Sequence, residues 1–171
     1  MRIETARAGD APTVLALVEE LLCELGAEGE EFAEVDRAKL QAALQAVLGS
    51  APGADGRCDA AHAPGVTGLT ALIAREDDGR PVGILTLSAG FAVYAGGAYG
   101  IIDEMYVRPA WRGMGVGRAL LEQALDMARR LGWHRVDVTT PADDRGNGAG
   151  RFYRGCGFEP TGEKLRLPLG D

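Results

Sequence analysis

The stretch "RGMGVGRA", Arg112–Ala119, sets glycines at positions 113, 115 and 117, directly ahead of a run with helical periodicity. Glycines spaced this way let a backbone come close to a neighbouring group and adopt conformations closed to other residues. At the entry to a helix, successive N–H groups then converge on one point, and the helix dipole adds partial positive charge there. The arrangement suits an anion, above all a phosphate, cradled by the amides of Gly113, Met114, Gly115, Val116, Gly117 and Arg118. Arg112 and Arg118 either add charge to that cradle or face solvent. The competing explanation is a strand-to-helix turn that needs only tight packing. Against it stands the cost of glycine, roughly 1 kcal/mol each in a helix interior.

The choice among phosphates turns on spacing. A nucleoside-triphosphate loop needs Lys-Ser/Thr after its last glycine, and Arg118-Ala119 stand there instead. The dinucleotide fingerprint wants G-x-G-x-x-G, whereas the glycines here read G-x-G-x-G. Asp137 does follow about twenty residues on, where a ribose-binding acid belongs. Yet Arg108–Arg112, with Pro109 and Trp111 among them, separate Val107 from the first glycine. The motif also lies past residue 110, not near the start of a domain, so the dinucleotide fold is disfavoured.

Outward from the motif, "AYGIIDEMYV" is an apolar strand ending before Pro109. From Gly117 onward, Leu120, Leu121, Ala124, Leu125, Ala128 and Leu131 mark an amphipathic helix stopped by Gly132. Asp126 is placed to pair with Arg129 and Arg130 on its outer face. "HRVDVTT" reads as a strand, "GAGRFYRGCGF" as a short glycine-interrupted helix and "EKLRLPL" as a last strand.

Upstream, "RIETARA" reads as a first strand, and Asp10 is a candidate cap for a helix tolerating Pro12 in its first turn. Val14, Val18, Leu21, Leu22 and Leu25 follow at helical spacing until Gly26 and Gly29. A second helix starts near Asp36, with Leu40, Leu44, Val47 and Leu48 on one face. Between them Glu28, Glu30, Glu31 and Glu34 form a solvated face or gather round a cationic substrate. The stretch 49–68 lacks periodicity and reads as a long loop, with His62 a surface histidine. "LTALIA" and "VGILTLSA" flank "REDDGRP" and predict an antiparallel hairpin. No repeat or linker interrupts the chain, so residues 1–171 are expected to form one domain, a mixed sheet carrying helices.

The 171 residues, 18.0 kDa, suffice for one hydrophobic core. A net charge of -7 and a pI near 4.9 argue against nucleic acid or anionic membrane as partners and weakly favour cationic ones. Cys23, Cys58 and Cys156 are too widely spaced for a zinc site, and their odd number suits a reducing compartment. Cys23 and Cys156 fall in helical segments and read as small packing residues. No metal is expected. The opening "MRIETARAGD" has no signal-peptide core, and no run approaches the ~20 apolar residues of a membrane span. The expected location is the cytoplasm.

The stretch "IDEMYVRPAWRGMGVGRALLEQALDMARRLG", with Arg112, Gly115 and Gly117 as Arg-x-x-Gly-x-Gly, resembles the acyl-CoA-binding motif of the GNAT superfamily of N-acyltransferases. "GAGRFYRGCGF" is similar to the family's Ala-x-x-Phe-Tyr-x-x-x-Gly-Phe helix, and the order of the N-terminal elements agrees as well. The resemblance implies an α+β fold, with a mixed twisted sheet of six to seven strands flanked by about four helices. It implies acetyl transfer from acetyl-CoA to an amine of a small molecule or peptide, with homodimerisation common in the family. A catalytically silent acyl-CoA sensor or scaffold of the same fold is the alternative.

Site residues follow from the same resemblance. Met105, Tyr106 and Val107 would pair with pantetheine through their backbone, and an amide there would polarise the thioester. Asp103 and Glu104 are the candidate bases, set on opposite faces by strand alternation, with Glu104 slightly preferred. Tyr153 matches the tyrosine that protonates the departing thiolate. The family's asparagine, seven residues before that tyrosine, is replaced by Gly146, leaving Asn147, one residue later, as the candidate for its cofactor contact. The acceptor would meet the first two helices, the 28–34 glutamates and the loop "AGFAVYAGGAYG", with Phe91, Tyr94 and Tyr99.

Overall fold

The computed structural model describes residues 1–26, 36–49, 68–140, 148–162, 165 and 167. The apolar runs around "REDDGRP" form the expected hairpin, β2 (Thr70–Arg75) and β3 (Pro81–Ala92), in antiparallel register. Its turn closes through Gly79 N–H to Glu76 O at 3.0 Å and Glu76 N–H to Arg80 O at 2.9 Å. Gly79 sits at φ +90°, the left-handed region that suits the Asp-Asp-Gly sequence.

β1 (Arg2–Thr5) pairs antiparallel with β2, and β4 (Gly97–Val107) pairs antiparallel with β3. With β5 (Val136–Val138) the described residues form a five-stranded sheet in the order β1-β2-β3-β4-β5. The helices are α1 (Ala11–Glu24), α2 (Arg37–Gly49), α3 (Val116–Arg130) and α4 (Ala149–Gly155). The α+β class agrees with expectation, and the described residues hold four helices and five of the six to seven expected strands. Of the expected sixth strand, 163–169, only Leu165 and Leu167 are described, and both are exposed. The chain divides into two compact units, Met1–Asp137 and Val138–Asp171.

Within the first unit, strand alternation explains how the sheet is covered. Ala71, Ile73, Ile84 and Tyr106 join Val14 and Leu17 of α1 and Leu48 of α2 in one buried cluster. Gly83, the neighbour of Ile84, points the other way, where a Cβ would lie 3.3 Å from Leu120 of α3. So α1 and α2 pack on one face and α3 on the other. Its buried stripe, Val116, Leu120, Leu121, Ala124 and Ala128, follows the periodicity read from sequence.

The local signals fared unevenly. α2 starts next to Asp36 as expected, and Asp36 caps it, its carboxylate accepting from Ala38 N–H at 3.0 Å and Lys39 N–H at 3.2 Å. Asp10 stands at the start of α1 without a side-chain capping bond. Its carboxylate takes Arg7 N–H at 2.9 Å and the Arg75 guanidinium at 2.7 Å, a charge-assisted bond that outweighs a neutral cap. Asp126 pairs with Arg129 at 2.6 Å. Cys23 is exposed rather than packed.

The stretch "AGFAVYAGGAYG" is not a loop. β3 and β4 extend past β2 as a two-stranded arm, Ser88–Ala92 against Gly97–Ile101, closed by a 3-10 turn at Val93–Ala95. Phe91, Val93 and Tyr94 are exposed at its tip. Tyr99 lies over Gly90, and Trp133 lies over Gly100, where a Cβ would approach its ring to 2.9 Å. Arg135 sits 5.0 Å from the Tyr94 ring and 4.9 Å from that of Tyr99, and pairs with Asp137 at 2.8 Å. Glu28, Glu30, Glu31, Glu34, Cys58, His62 and most of the 49–68 loop lie outside the described residues.

Candidate functional site

The glycine motif forms a tight junction between β4 and α3. After Val107 a 3-10 turn, Pro109–Trp111, leads into the Arg112–Gly115 turn and then α3. Gly113 (φ +74°) and Gly115 (φ +84°) are both left-handed, which demands glycine on backbone grounds alone. A Cβ at either position would meet no atom within 4 Å, so close packing is not the reason for them. They face open space.

Gly115 precedes α3, and the first bond into the helix runs from Ala119 N–H to Gly115 O at 3.0 Å. The amides of Val116, Gly117 and Arg118 come before that bond, in the turn where a helix leaves its N–H groups without intrahelical acceptors. The first turn carries no acidic residue. Left-handed glycines, open space and helix-terminal amides fit a pyrophosphate. Met114 is exposed at the tip of the turn. Arg118 is exposed on the first turn and makes no ion pair among the described residues. Arg112 is exposed but tied back to its surroundings, its Nε donating to Val107 O at 2.8 Å and its Nη2 to Glu24 at 2.5 Å.

In β4, Met105, Tyr106 and Val107 pair with Leu85, Ile84 and Gly83 of β3. β5 follows β4 in the sheet, and at the distal end of β4 Gly100 N–H donates to Arg135 O at 2.9 Å. The Tyr106 side chain belongs to the core under α1, and burial together with Glu20 and Glu24 pushes its hydroxyl above its ordinary pKa.

Asp103 and Glu104 occupy a β-bulge. Leu85 pairs with Met105 and Leu87 with Ile102, so Thr86 alone opposes both carboxylates. Thr86 is a polar residue within the apolar core, only 1% exposed. Its hydroxyl donates to the Glu104 carboxylate and accepts the Glu104 N–H at 2.9 Å. Burial pushes the Glu104 carboxyl above its ordinary pKa, the Asp103 charge adds to the rise, and the Thr86 bond partly offsets it. Asp103 is exposed. The two carboxylates thus occupy different environments: Asp103 is exposed, and Glu104 is desolvated and held by Thr86.

Within the second unit, Tyr153 is buried on α4 in edge-on contact with Phe152 and Phe158, ring centroids 5.2 and 5.3 Å away. Gly148 (φ +70°) immediately precedes this seven-residue helix. Burial raises the Tyr153 hydroxyl well above its ordinary pKa, so it stays protonated. Asn147 lies outside the described residues.

Thr86, Glu20, Glu24 and Arg108 were not singled out from sequence. Thr86 is visible in hindsight as the polar interruption of "VGILTLSA". The acids of α1 and the arginines of the loop share a four-residue spacing, Glu20 to Glu24 and Arg108 to Arg112. Among the described residues there is no group of three or more potential metal ligands, and no helix long and apolar enough to cross a membrane.

Residues 40–158 match the model of the acetyltransferase (GNAT) family. Peptidyl-lysine N-acetyltransferase YjaB of Escherichia coli (strain K12) is 33% identical over 98 residues, 57% of this chain and 55% of that protein. Aminoglycoside N(6')-acetyltransferase type 1 of Stenotrophomonas maltophilia is 36% identical over 72 residues, 41% of this chain and 46% of that protein. The matches thus span about half the length of these curated relatives. The crystal structure of a probable acetyltransferase shares the fold, with a TM-score of 0.72 at 21% identity over 100% of this chain and 99% of that one.

Proposed function

The chain belongs to the acetyltransferase (GNAT) family, and from that membership we propose that it is an N-acetyltransferase carrying an acetyl group from acetyl-CoA to a primary amine. Family members use acetyl-CoA in general, and the junction between β4 and α3 is the observation that carries this donor to the present chain. Two left-handed glycines facing open space, followed by helix-terminal amides, supply what a pyrophosphate needs. The match at 40–158 spans both units and supports one catalytic domain over 1–171.

An alkylammonium of pKa about 10.4 must lose a proton before attacking. Glu104 takes that proton, directly or through water, its raised pKa matching it better to an amine than an ordinary carboxylate would be. The amine nitrogen then bonds the thioester carbonyl carbon, whose oxygen is polarised by an amide of the Met105–Val107 segment. As the carbon–sulfur bond breaks, Tyr153 gives its hydroxyl proton to the thiolate, and the second proton, shed by the nitrogen as it becomes an amide, restores the tyrosine hydroxyl. Asn147 would add a contact to coenzyme A. The acceptor is a small-molecule or peptide amine, a reading that the names of both curated relatives support, and the compartment is the cytoplasm, which the odd and widely spaced cysteines suit.

Free-thiol release from acetyl-CoA, followed with polyamines, aminoglycosides, amino acids and lysine peptides, tests this reading. Thiol release dependent on one amine class is the expected result. Tight acetyl-CoA binding without turnover on any amine would instead indicate a sensor, and no binding would remove the functional reading altogether.

A further inference from the structure

The glycine loop is tied to α1 by two parallel ion pairs. Glu20 and Glu24 stand four residues apart and so share a helix face. Arg108 and Arg112 bracket the 3-10 turn that leads into the loop. Arg108 grips Glu20 through both carboxylate oxygens, at 3.0 and 2.6 Å, and donates a third bond to Pro81 O at 2.7 Å. Arg112 bonds Glu24 and the O of Val107, the last residue of β4, with its guanidinium 5.7 Å from the Tyr106 ring centroid. One rung therefore anchors the start of the loop to β3, and the other anchors its end to β4.

We propose that Glu20 and Glu24 are positioning residues for acetyl-CoA, acting through Arg108 and Arg112, and that Arg112 is a tether of the glycine loop and not a ligand of the pyrophosphate. This rests on the reading that the loop binds acetyl-CoA. Turning Arg112 toward a phosphate would break bonds at both Nε and Nη2 and leave the Glu24 carboxylate without its partner. Glu24 also neutralises the guanidinium charge where it stands. Anion recognition is left to the backbone amides and the exposed Arg118, and the arginine pairs fix where those amides point.

The two roles of Arg112 predict opposite results at Glu24. Calorimetric titration of the intact protein with acetyl-CoA is compared for wild type, Glu24→Gln, Arg112→Gln and the double variant, with melting temperatures measured alongside. If Arg112 is a tether, each single substitution weakens acetyl-CoA binding about three- to fivefold, and the double variant is no weaker than either. Glu20→Gln acts in the same direction, and in turnover assays KM for acetyl-CoA rises more than kcat falls.

If Glu24→Gln leaves binding unchanged or tightens it while Arg112→Gln weakens it, Arg112 is a direct ligand and the inference is overturned. Additive losses in the double variant would overturn it as well. A wild type that binds no acetyl-CoA would defeat the functional reading, and this inference with it. Weakening seen only where the melting temperature has collapsed would mark the ladder as a stability device and refute its positioning role.

Discussion

Glu104 illustrates how one side chain's environment sets both reactivity and stability. Its carboxyl is desolvated and its pKa raised, so the folded state holds the proton to higher pH than the unfolded chain does. Stability from this group is present below the ordinary glutamate pKa and declines as pH rises through the raised folded value. Glu104→Gln should therefore raise the melting temperature at neutral and higher pH while lowering kcat/KM by about 10²-fold or more. Thermal melts and initial rates on the same samples check both halves; a variant with full activity would remove Glu104 as the base. In the wild type, kcat/KM should rise with pH through a midpoint above the ordinary glutamate value. Tyr153→Phe should lower turnover while acetyl-CoA affinity stays near wild type, since only the hydroxyl group is removed. Both residues are named as candidates from sequence alone, Glu104 with Asp103 by position late in the strand and Tyr153 by its Phe-Tyr context. Thr86 was not, because its bond to Glu104 crosses between strands and spans 18 residues.

At the scale of elements, the glycine junction concentrates the backbone demand. Replacing Gly115 by alanine forces a β-carbon into φ +84°, at a cost of about 1–2 kcal/mol. The expected outcome is a lower melting temperature together with weaker acetyl-CoA binding; alanine tolerated on both counts would show that the turn needs no left-handed residue. α3, the β2–β3 hairpin and the start of α2 were readable because each is written in contiguous periodicity or a local turn signal. The arm beyond β2 was not. Its "AGFAVYAGGAYG" lacks alternation, and the arm is held by Tyr99 over Gly90 and Trp133 over Gly100. Asp10 shows the same limit, since the arginine that diverts its carboxylate is 65 residues away.

For the whole molecule, the acidic balance bears on what the protein attracts. With a net charge of -7, a cationic acceptor should be drawn in by a field that salt screens. Its KM should rise as ionic strength increases from ~0.05 to ~0.5 M, with little change for an uncharged amine. A flat response for a polycationic acceptor would mean that surface charge plays no part in capture. The two tryptophans also divide the molecule optically. Trp111 closes the turn entering the glycine loop, while Trp133 is stacked on Gly100 of the sheet. With Trp133→Phe, emission from Trp111 becomes a label-free gauge of donor occupancy. With Trp111→Phe, emission from Trp133 stays constant on donor addition and shifts to the red when the sheet melts, separating binding from unfolding in one cuvette.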